Sequence, residues 1–181
     1  MIKKIFSYYK LPLLISIALA ITLLALGVVR ALTGITEVIL GCLIGTFVLD
    51  SEYVLYTYML EPNSEFAKSV HGYIKYKDFG GLIEFIQTHK GEVTEKALNS
   101  ALFQAILAPI AIFVVYASGS LFIEALVLST LANSIYKLIE SFFDGTYIEW
   151  FWAMKVRPKK EGVLGFIILL LFVLIYCLYI F

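Results

Sequence analysis

Two carboxylates, Asp50 and Glu52, lie deep inside an apolar stretch that runs from residue 35 to residue 60. A charged side chain in hydrocarbon costs about 2.5–3.5 kcal/mol on insertion scales, so such groups usually face a partner or a water-filled cavity. A cavity of that kind, open to the cytoplasm, would bind a lipid headgroup, an ion or a small solute. The stretch that carries these two acids is therefore where chemistry is most expected in this sequence.

The composition predicts an integral membrane protein. Of the 181 residues, 61% are hydrophobic and 15% are charged, and the mean hydropathy is +0.90. Soluble domains average about 45–50% apolar and about 25% charged residues, so the surplus of apolar side chains must face lipid. The 14 basic and 14 acidic residues balance, which gives no reason to expect a nucleic-acid partner. The expected partners are the lipid bilayer, its headgroups and other membrane helices.

Five apolar segments are long enough to cross a bilayer, and each is predicted to form a transmembrane helix. The first is long enough to favour a membrane anchor over a cleaved signal peptide. A polar insert at 61–96 carries apolar residues at helical spacing, which predicts two short amphipathic helices. The predicted spans are 11–29, 35–60, 97–116, 121–143 and 163–181. The expected fold is an all-α polytopic membrane helix bundle that forms one domain over residues 1–181.

The distribution of basic residues predicts the orientation of this bundle. With the N-terminus in the cytoplasm, the inner segments hold all but two of the 14 basic residues, as the positive-inside rule requires. The two others are Arg30, in an outer loop, and Lys137, inside the fourth span. We therefore expect a multi-pass protein whose N-terminus and amphipathic insert are cytoplasmic and whose C-terminus is outside.

Two glycines of the second span, Gly41 and Gly45, form a G-x-x-x-G pattern. Glycines at this spacing remove side chains from one face of a helix and let a neighbouring helix approach closely. We interpret the pattern as a packing surface within the bundle.

Further polar side chains fall at similar depths in other spans. Helix rise places Asp50 roughly 15 Å from the inner end of its span, and Asn133 and Lys137 roughly 15 and 9 Å from the inner end of theirs. Asn99 and Gln104 lie in the first turns of the third span, on the same side. We expect one intramembrane polar cluster, formed by Asp50, Glu52, Tyr53, Asn99, Gln104, Asn133, Lys137 and Glu140.

The phase of the helix separates the two acids. Asp50 and Glu52 are two residues apart, so on a regular helix they point in different directions. We expect Asp50 to face the interior and Lys137 to neutralise the acid that it reaches. Two interpretations stay open: an intramembrane salt bridge with amide hydrogen bonds that fixes the register of the bundle, or a site open to the cytoplasm.

Three short motifs resemble those of a known family. They are G-x-L-I-G-T-F-V-L-D-S-E-Y at 41–53, N-S-A-L-F-Q at 99–104 and L-A-N-S-I-Y-K at 131–137. They resemble the motifs of the bacterial inner-membrane-bound metal-dependent hydrolases of the LexA-regulated type. The chain also resembles uncharacterised small membrane proteins of reduced-genome bacteria, which share its amphipathic loop and Trp-Phe-Trp patch. The first resemblance implies a location in the inner membrane.

The residues at the family's metal-binding positions differ from its pattern. Asp50 keeps the first acid, whereas Glu52 stands for an Asp, Tyr53, Asn99 and Asn133 stand for histidines, and Lys137 stands for the last acid. Two carboxylates without imidazole make a poor site for zinc and related metals. The resemblance therefore implies a member that has kept the fold and lost the metal chemistry, with no metal, cofactor or catalytic residue expected.

Three functions are consistent with these observations. The first is a catalytically degenerate relative of the membrane hydrolases, with a structural or lipid-headgroup-interacting role. The second is a membrane enzyme that hydrolyses a lipid phosphate or ester at Asp50 and Glu52. The third is a small transporter subunit in which Asp50 and Lys137 form an ion-pair gate, although five spans without an internal repeat argue against it. The first is the function that we expect.

Overall fold

The computed structural model describes residues 2–27, 29–89, 96–155 and 157–181. All the regular structure within these ranges is helical, so the all-α prediction is confirmed. The α-helices are α1 (Ile2–Leu26), α2 (Leu32–Val48), α3 (Glu52–Leu55), α4 (Glu65–Lys75), α5 (Phe79–His89), α6 (Ala101–Ala117), α7 (Leu121–Phe143) and α8 (Lys160–Ile180).

Four of the five predicted spans are long and apolar enough to cross a membrane within the described ranges. They are Tyr9–Leu26, Leu32–Met59, Leu121–Asp144 and Lys160–Ile180. The remaining apolar helix, α6, has 17 residues, which is about 25 Å of helix. It begins later than the sequence suggested because Ser100 has extended backbone and caps it, with Oγ accepting a hydrogen bond from Phe103 N at 3.1 Å.

Helices α2 and α7 run in the same direction and touch along the G-x-x-x-G pattern. Gly41 of α2 lies against Ala125 of α7. One turn further along both helices, Gly45 lies against Ser129. A Cβ atom on Gly41 would lie 2.5 Å from the Phe122 carbonyl oxygen, closer than real Cβ atoms approach. The glycines therefore permit the close packing that the sequence predicted, with α7 as the partner helix.

The other long helices, α1, α6 and α8, run in the opposite direction. Residues 118–120 join α6 to α7 as a short turn, so these two are antiparallel neighbours. The rings of Tyr9, early in α1, and Phe47, late in α2, lie 5.2 Å apart. Gly27, just after α1, lies beside the ring of Phe181, just after α8. These five helices therefore alternate in direction along the chain.

Helix α7 is the centre of the bundle, and residues 127–135 are all buried. It packs against α1, α2, α6 and α8. The outward faces of these four helices carry large exposed apolar side chains, among them Ile17, Ile21, Leu43, Phe47, Ile106, Phe113, Ile168 and Phe172. Soluble monomers rarely expose so continuous an apolar surface. This lipid-facing belt agrees with the prediction of a transmembrane protein.

The polar insert contains the two predicted short helices, α4 and α5. Ser64 Oγ accepts a hydrogen bond from Ala67 N at 3.1 Å and caps α4. Asp78 Oδ1 accepts one from Gly81 N at 2.9 Å and caps α5. Their apolar faces pack against each other and against the end of the second span, in a small core formed by Tyr56, Phe66 and Val70 with Ile74, Leu82, Phe85 and Ile86.

Candidate functional site

The second span is irregular where its two carboxylates lie. Helix α2 ends at Val48, residues 49–51 form a 3₁₀ turn, and a π-helical turn follows α3 at 56–60. Such changes in helical geometry inside a longer helix are frequently found at functional sites. They also alter the helical phase, so the directions of Asp50 and Glu52 are not those of a regular helix.

Asp50 pairs with Lys137 across the two central helices. Lys137 Nζ donates a hydrogen bond to Asp50 Oδ1 at 2.8 Å. The side chains of Lys137 and Asp50 are 18% and 17% exposed, so the pair is screened from solvent on most sides. Lys137 thus neutralises Asp50, as expected for an acid within a membrane-crossing segment.

Glu52 is buried more deeply than Asp50 and contacts a different part of the chain. Its side chain is 1% exposed, and Oε1 accepts a hydrogen bond from Leu98 N at 3.1 Å. Oε2 accepts two more, from Asn99 N and Asn99 Nδ2, each at 2.7 Å. The expectation that Asp50 is the inward-facing acid was therefore incomplete. Glu52 ties the segment before α6 to the end of the second span, because the 3₁₀ turn directs the two acids to different neighbours.

Asn133 belongs to a separate network, which corrects the prediction of one polar cluster. Its Nδ2 donates to Ser16 Oγ at 2.9 Å. Thr46 Oγ1 donates to the same Ser16 oxygen at 2.7 Å, and Ser16 and Ser129 hydroxyls lie 3.0 Å apart. These hydrogen bonds join α1, α2 and α7 inside the bundle. Sequence reasoning missed Ser16 and Ser129, although Ser129 lies four residues before Asn133 on the same helical face.

Gln104 makes a third polar contact in the interior. Its Nε2 donates to Ser134 O at 3.0 Å and lies 2.9 Å from Ser134 Oγ, which links α6 to α7. Within the described residues, three buried amide oxygens have no hydrogen-bond partner: Asn99 Oδ1, Gln104 Oε1 and Asn133 Oδ1. Buried acceptors usually find a donor, so each of these oxygens is a place where water or a ligand would be favoured.

A cavity of about 580 Å³ lies at one end of the bundle, where α1 begins and where α2 and α7 end. We call this end the cavity end. Five of the eight predicted residues line the cavity, namely Asp50, Tyr53, Asn99, Lys137 and Glu140. Glu52, Gln104 and Asn133 do not line it. Lining residues that the sequence reasoning missed include Tyr9, Thr46, Lys96, Tyr136, Asp144 and Glu149. The sequence indicated these residues only weakly, because polar residues are common at helix ends.

Charged side chains of both signs form much of the cavity wall. A second ion pair joins Lys96 Nζ to Glu149 Oε2 at 3.3 Å. Glu140 accepts a hydrogen bond from the Tyr136 hydroxyl at 3.3 Å. The backbone of Lys96 is held in place by Trp152, whose Nε1 donates to the Lys96 carbonyl oxygen at 2.8 Å. The wall can therefore receive a ligand that carries charge.

The fold and the site define a helical membrane protein with a charged cavity at one end of its bundle. Comparison of the chain with protein-family models, with curated proteins and with solved structures gives no match. Among the described residues, no three histidine, cysteine, aspartate or glutamate side chains come together as metal ligands. The function is therefore inferred from the geometry of the site itself.

The Asp50–Lys137 pair is open to a double-mutant test. We expect Asp50→Asn and Lys137→Met each to lower the free energy of unfolding by about 2 kcal/mol, below the 3–5 kcal/mol of a fully buried pair because the cavity admits water. The double variant should recover most of that loss, since neither charge is left alone. Unfolding in detergent micelles, followed by circular dichroism, measures both values. Additive losses in the double variant would contradict a direct interaction.

Proposed function

We propose that the protein is a non-catalytic, multi-pass protein of the inner membrane that binds a lipid headgroup in the cavity at its cytoplasmic end. One observation carries this proposal: a charged cavity of about 580 Å³ lies between helix ends that continue into a lipid-facing apolar belt. A headgroup can enter such a cavity while its acyl chains remain in the bilayer. Its polar atoms then meet charged side chains in a partly desolvated place, where hydrogen bonds to charged groups are strong.

In this proposal α6 is the fifth crossing. It packs against α7 and α8, which are both long enough to span. Its length is at the lower limit for a transmembrane helix. The alternating helix directions and the positive-inside rule support a cytoplasmic location for the N-terminus, the cavity end and helices α4 and α5. They support an outside location for the C-terminus.

The contacts of Glu52 favour binding over catalysis. A hydrolase using Asp50 and Glu52 together needs both carboxylates near the substrate. Both oxygens of Glu52 accept hydrogen bonds from the segment before α6, and Asp50 is neutralised by Lys137. We therefore interpret the chain as a catalytically degenerate relative of the inner-membrane hydrolases, a relationship supported by the three motifs alone.

The packing of α2 on α7 gives less support to a transporter. Gly41 and Gly45 bring the two backbones so close that even a methyl group between them would collide. A solute path between α2 and α7 would need the two helices to separate. The cavity ends at this helix contact, because Thr46, the residue after Gly45, forms part of the cavity wall.

Filling the cavity tests the proposal without assuming which headgroup it takes. We expect the purified protein in detergent to retain one phospholipid in native mass spectrometry when dioleoyl lipids with ethanolamine, glycerol and choline headgroups are added. Ser141 and Thr146 both line the cavity. Ser141→Phe should lower the retained fraction by about fivefold or more, because pockets must bury most of a ligand to hold it. Ile168→Phe, on the exposed face of α8, should leave it unchanged.

Two results would overturn the proposal. Equal lipid retention by the wild type and the cavity-filling variant would show that lipid binds elsewhere. Release of a fatty acid or a headgroup phosphate from the added lipids would show that the protein is an enzyme. Thermal unfolding checks that Ser141→Phe is folded, and Thr146→Phe, at an exposed position of the same wall, replaces it if it is not.

A further inference from the structure

We propose that the cavity selects a zwitterionic headgroup with a primary ammonium beside a phosphate, the chemistry of phosphatidylethanolamine. This inference rests on the proposed function and adds the class of headgroup. It is carried by the balance of charges in the cavity wall and by one buried amide oxygen that has no hydrogen-bond partner among the described residues.

The wall carries four acids and two lysines. Two of the acids are already paired, Asp50 with Lys137 at 2.8 Å and Glu149 with Lys96 at 3.3 Å. The other two are Glu140 and Asp144. Within the described part of the chain, neither of these carboxylates lies within ion-pair distance of a basic side chain. Among the described residues the wall therefore has two negative charges in excess. Both lie on the same side of the cavity, because Asp144 directly follows α7 and lies four residues after Glu140.

The position of Glu140 and Asp144 strengthens the preference for a cation. Both lie in or just after the last turn of α7, which ends at Phe143. The carbonyl groups at the end of a helix carry a partial negative charge, which destabilises nearby acids and stabilises cations. The two carboxylates therefore add to the helix dipole instead of opposing it. A bound ammonium, with its single positive charge, would offset part of this negative charge.

Asn99 supplies an independent indication that the ligand carries a hydrogen-bond donor. It lines the cavity and is 8% exposed. Its Nδ2 donates to Glu52, and its Oδ1 accepts no hydrogen bond within the described residues. An amide oxygen can only accept, so the missing partner must carry a donor hydrogen. A primary ammonium and the hydroxyl groups of a glycerol headgroup both carry such hydrogens, whereas the quaternary ammonium of choline does not. Asn99 therefore disfavours choline, and the charges of the wall decide between ethanolamine and glycerol.

The two lysines of the wall can bind the phosphate of the headgroup. An ammonium group has three donors. Lys137 and Lys96 each use one donor in the ion pairs described above, so each retains donors for a phosphate oxygen. An anionic headgroup such as phosphatidylglycerol would meet the same lysines, but it would leave Glu140 and Asp144 without a cation. The cavity should therefore favour ethanolamine over glycerol.

A competition experiment measures this selectivity. We expect native mass spectrometry with equal amounts of dioleoyl phosphatidylethanolamine and phosphatidylglycerol to show about tenfold more ethanolamine lipid retained, the ratio that a charged hydrogen bond can supply. The double variant Glu140→Gln with Asp144→Asn should bring the ratio close to one while still retaining lipid. The matched control is Glu37→Gln, on the exposed surface of α2 towards the opposite end of the bundle, which should keep the wild-type ratio.

The outcomes separate this inference from the proposed function. Equal retention of both lipids by the wild type would overturn the inference and leave headgroup binding intact, whereas retention of neither would overturn both. Retention of the choline lipid as strongly as the ethanolamine lipid would also overturn it, because a quaternary ammonium has no donor for Asn99. Soluble glycerophosphoethanolamine that competes as well as the lipid at equal concentration would show that the ligand is a free solute, against a lipid source.

Discussion

Replacing both Gly41 and Gly45 by alanine is expected to lower the free energy of unfolding by about 3–5 kcal/mol, at or above the upper end of the overpacking penalty. A Cβ on Gly41 would lie 2.5 Å from the Phe122 carbonyl oxygen and 2.9 Å from the Ala125 Cβ, and one on Gly45 would lie 2.6 Å from the Leu126 carbonyl oxygen. These are backbone atoms or Cβ atoms, which cannot rotate away. The two central helices must therefore move apart.

The separation would also affect the interior hydrogen bonds. Thr46 and Ser129 lie on α2 and α7 next to the glycine contact, and Ser16 bridges them. The donor–acceptor distances there are 2.7 and 3.0 Å, so a shift of one helix by about 1 Å would break them. The overpacking penalty and the lost hydrogen bonds thus act in the same direction.

Gly165→Ala is the matched control, because the structure has open space at that position of α8. Alanine is favoured over glycine within a helix by about 0.5–1 kcal/mol, so this change should be neutral or slightly stabilising. Denaturant titration in detergent micelles, monitored by circular dichroism, gives both values. A Gly41→Ala, Gly45→Ala protein as stable as the wild type would mean that α2 and α7 do not touch at these glycines.

Much of the fold follows from patterns that the sequence displays directly. Apolar length predicts helices that can cross a membrane, the spacing of Gly41 and Gly45 predicts a close helix contact, and the apolar spacing in the polar insert predicts two short helices. Each of these signals arises from a local physical requirement: burial in lipid, backbone approach or burial of one helix face. Such requirements act on neighbouring residues and can therefore be read without knowing the tertiary structure.

The division of the polar residues could not be predicted in the same way. Glu52 accepts hydrogen bonds mainly from backbone N–H groups. Every residue except proline has such a group, so the pattern of side chains in the sequence does not indicate this contact. Asn133 bonds to Ser16, a single serine in an apolar helix distant in sequence. The irregular turns at 49–51 and 56–60 contain no glycine or proline from which they could be predicted. The sequence predicted that Lys137 would pair with an acid, but it did not predict which partners Glu52 and Asn133 would contact.

Glu52 should be the most sensitive single polar residue of the fold. Three donors converge on its carboxylate, and hydrogen bonds to a charged group are worth about 1.5–3 kcal/mol each. We expect Glu52→Ala to lower the free energy of unfolding by about 4 kcal/mol, because the N–H groups of Leu98 and Asn99 are left buried without an acceptor. Asn99 Nδ2 keeps a second acceptor, Leu49 O, at 3.2 Å.

Glu52→Gln is the sharper test of the same contact. The glutamine has nearly the same shape, but one oxygen becomes an NH₂ group that faces an N–H donor in either orientation of the amide. We expect a loss of about 3 kcal/mol, since at least one donor loses its acceptor and meets another donor. Glu149→Gln is the matched control, because the Glu149 side chain is 58% exposed and its ion pair with Lys96 should contribute less than about 1 kcal/mol.

Lipid retention by Glu52→Gln then distinguishes a structural role from a role in binding. Glu52 does not line the cavity, so the variant should retain lipid like the wild type at temperatures where it remains folded. If the variant is as stable as the wild type, the hydrogen bonds to Leu98 and Asn99 do not hold the segment before α6. If it is folded and has lost its lipid, Glu52 belongs to the binding site, and the second carboxylate that a hydrolase would need is present after all.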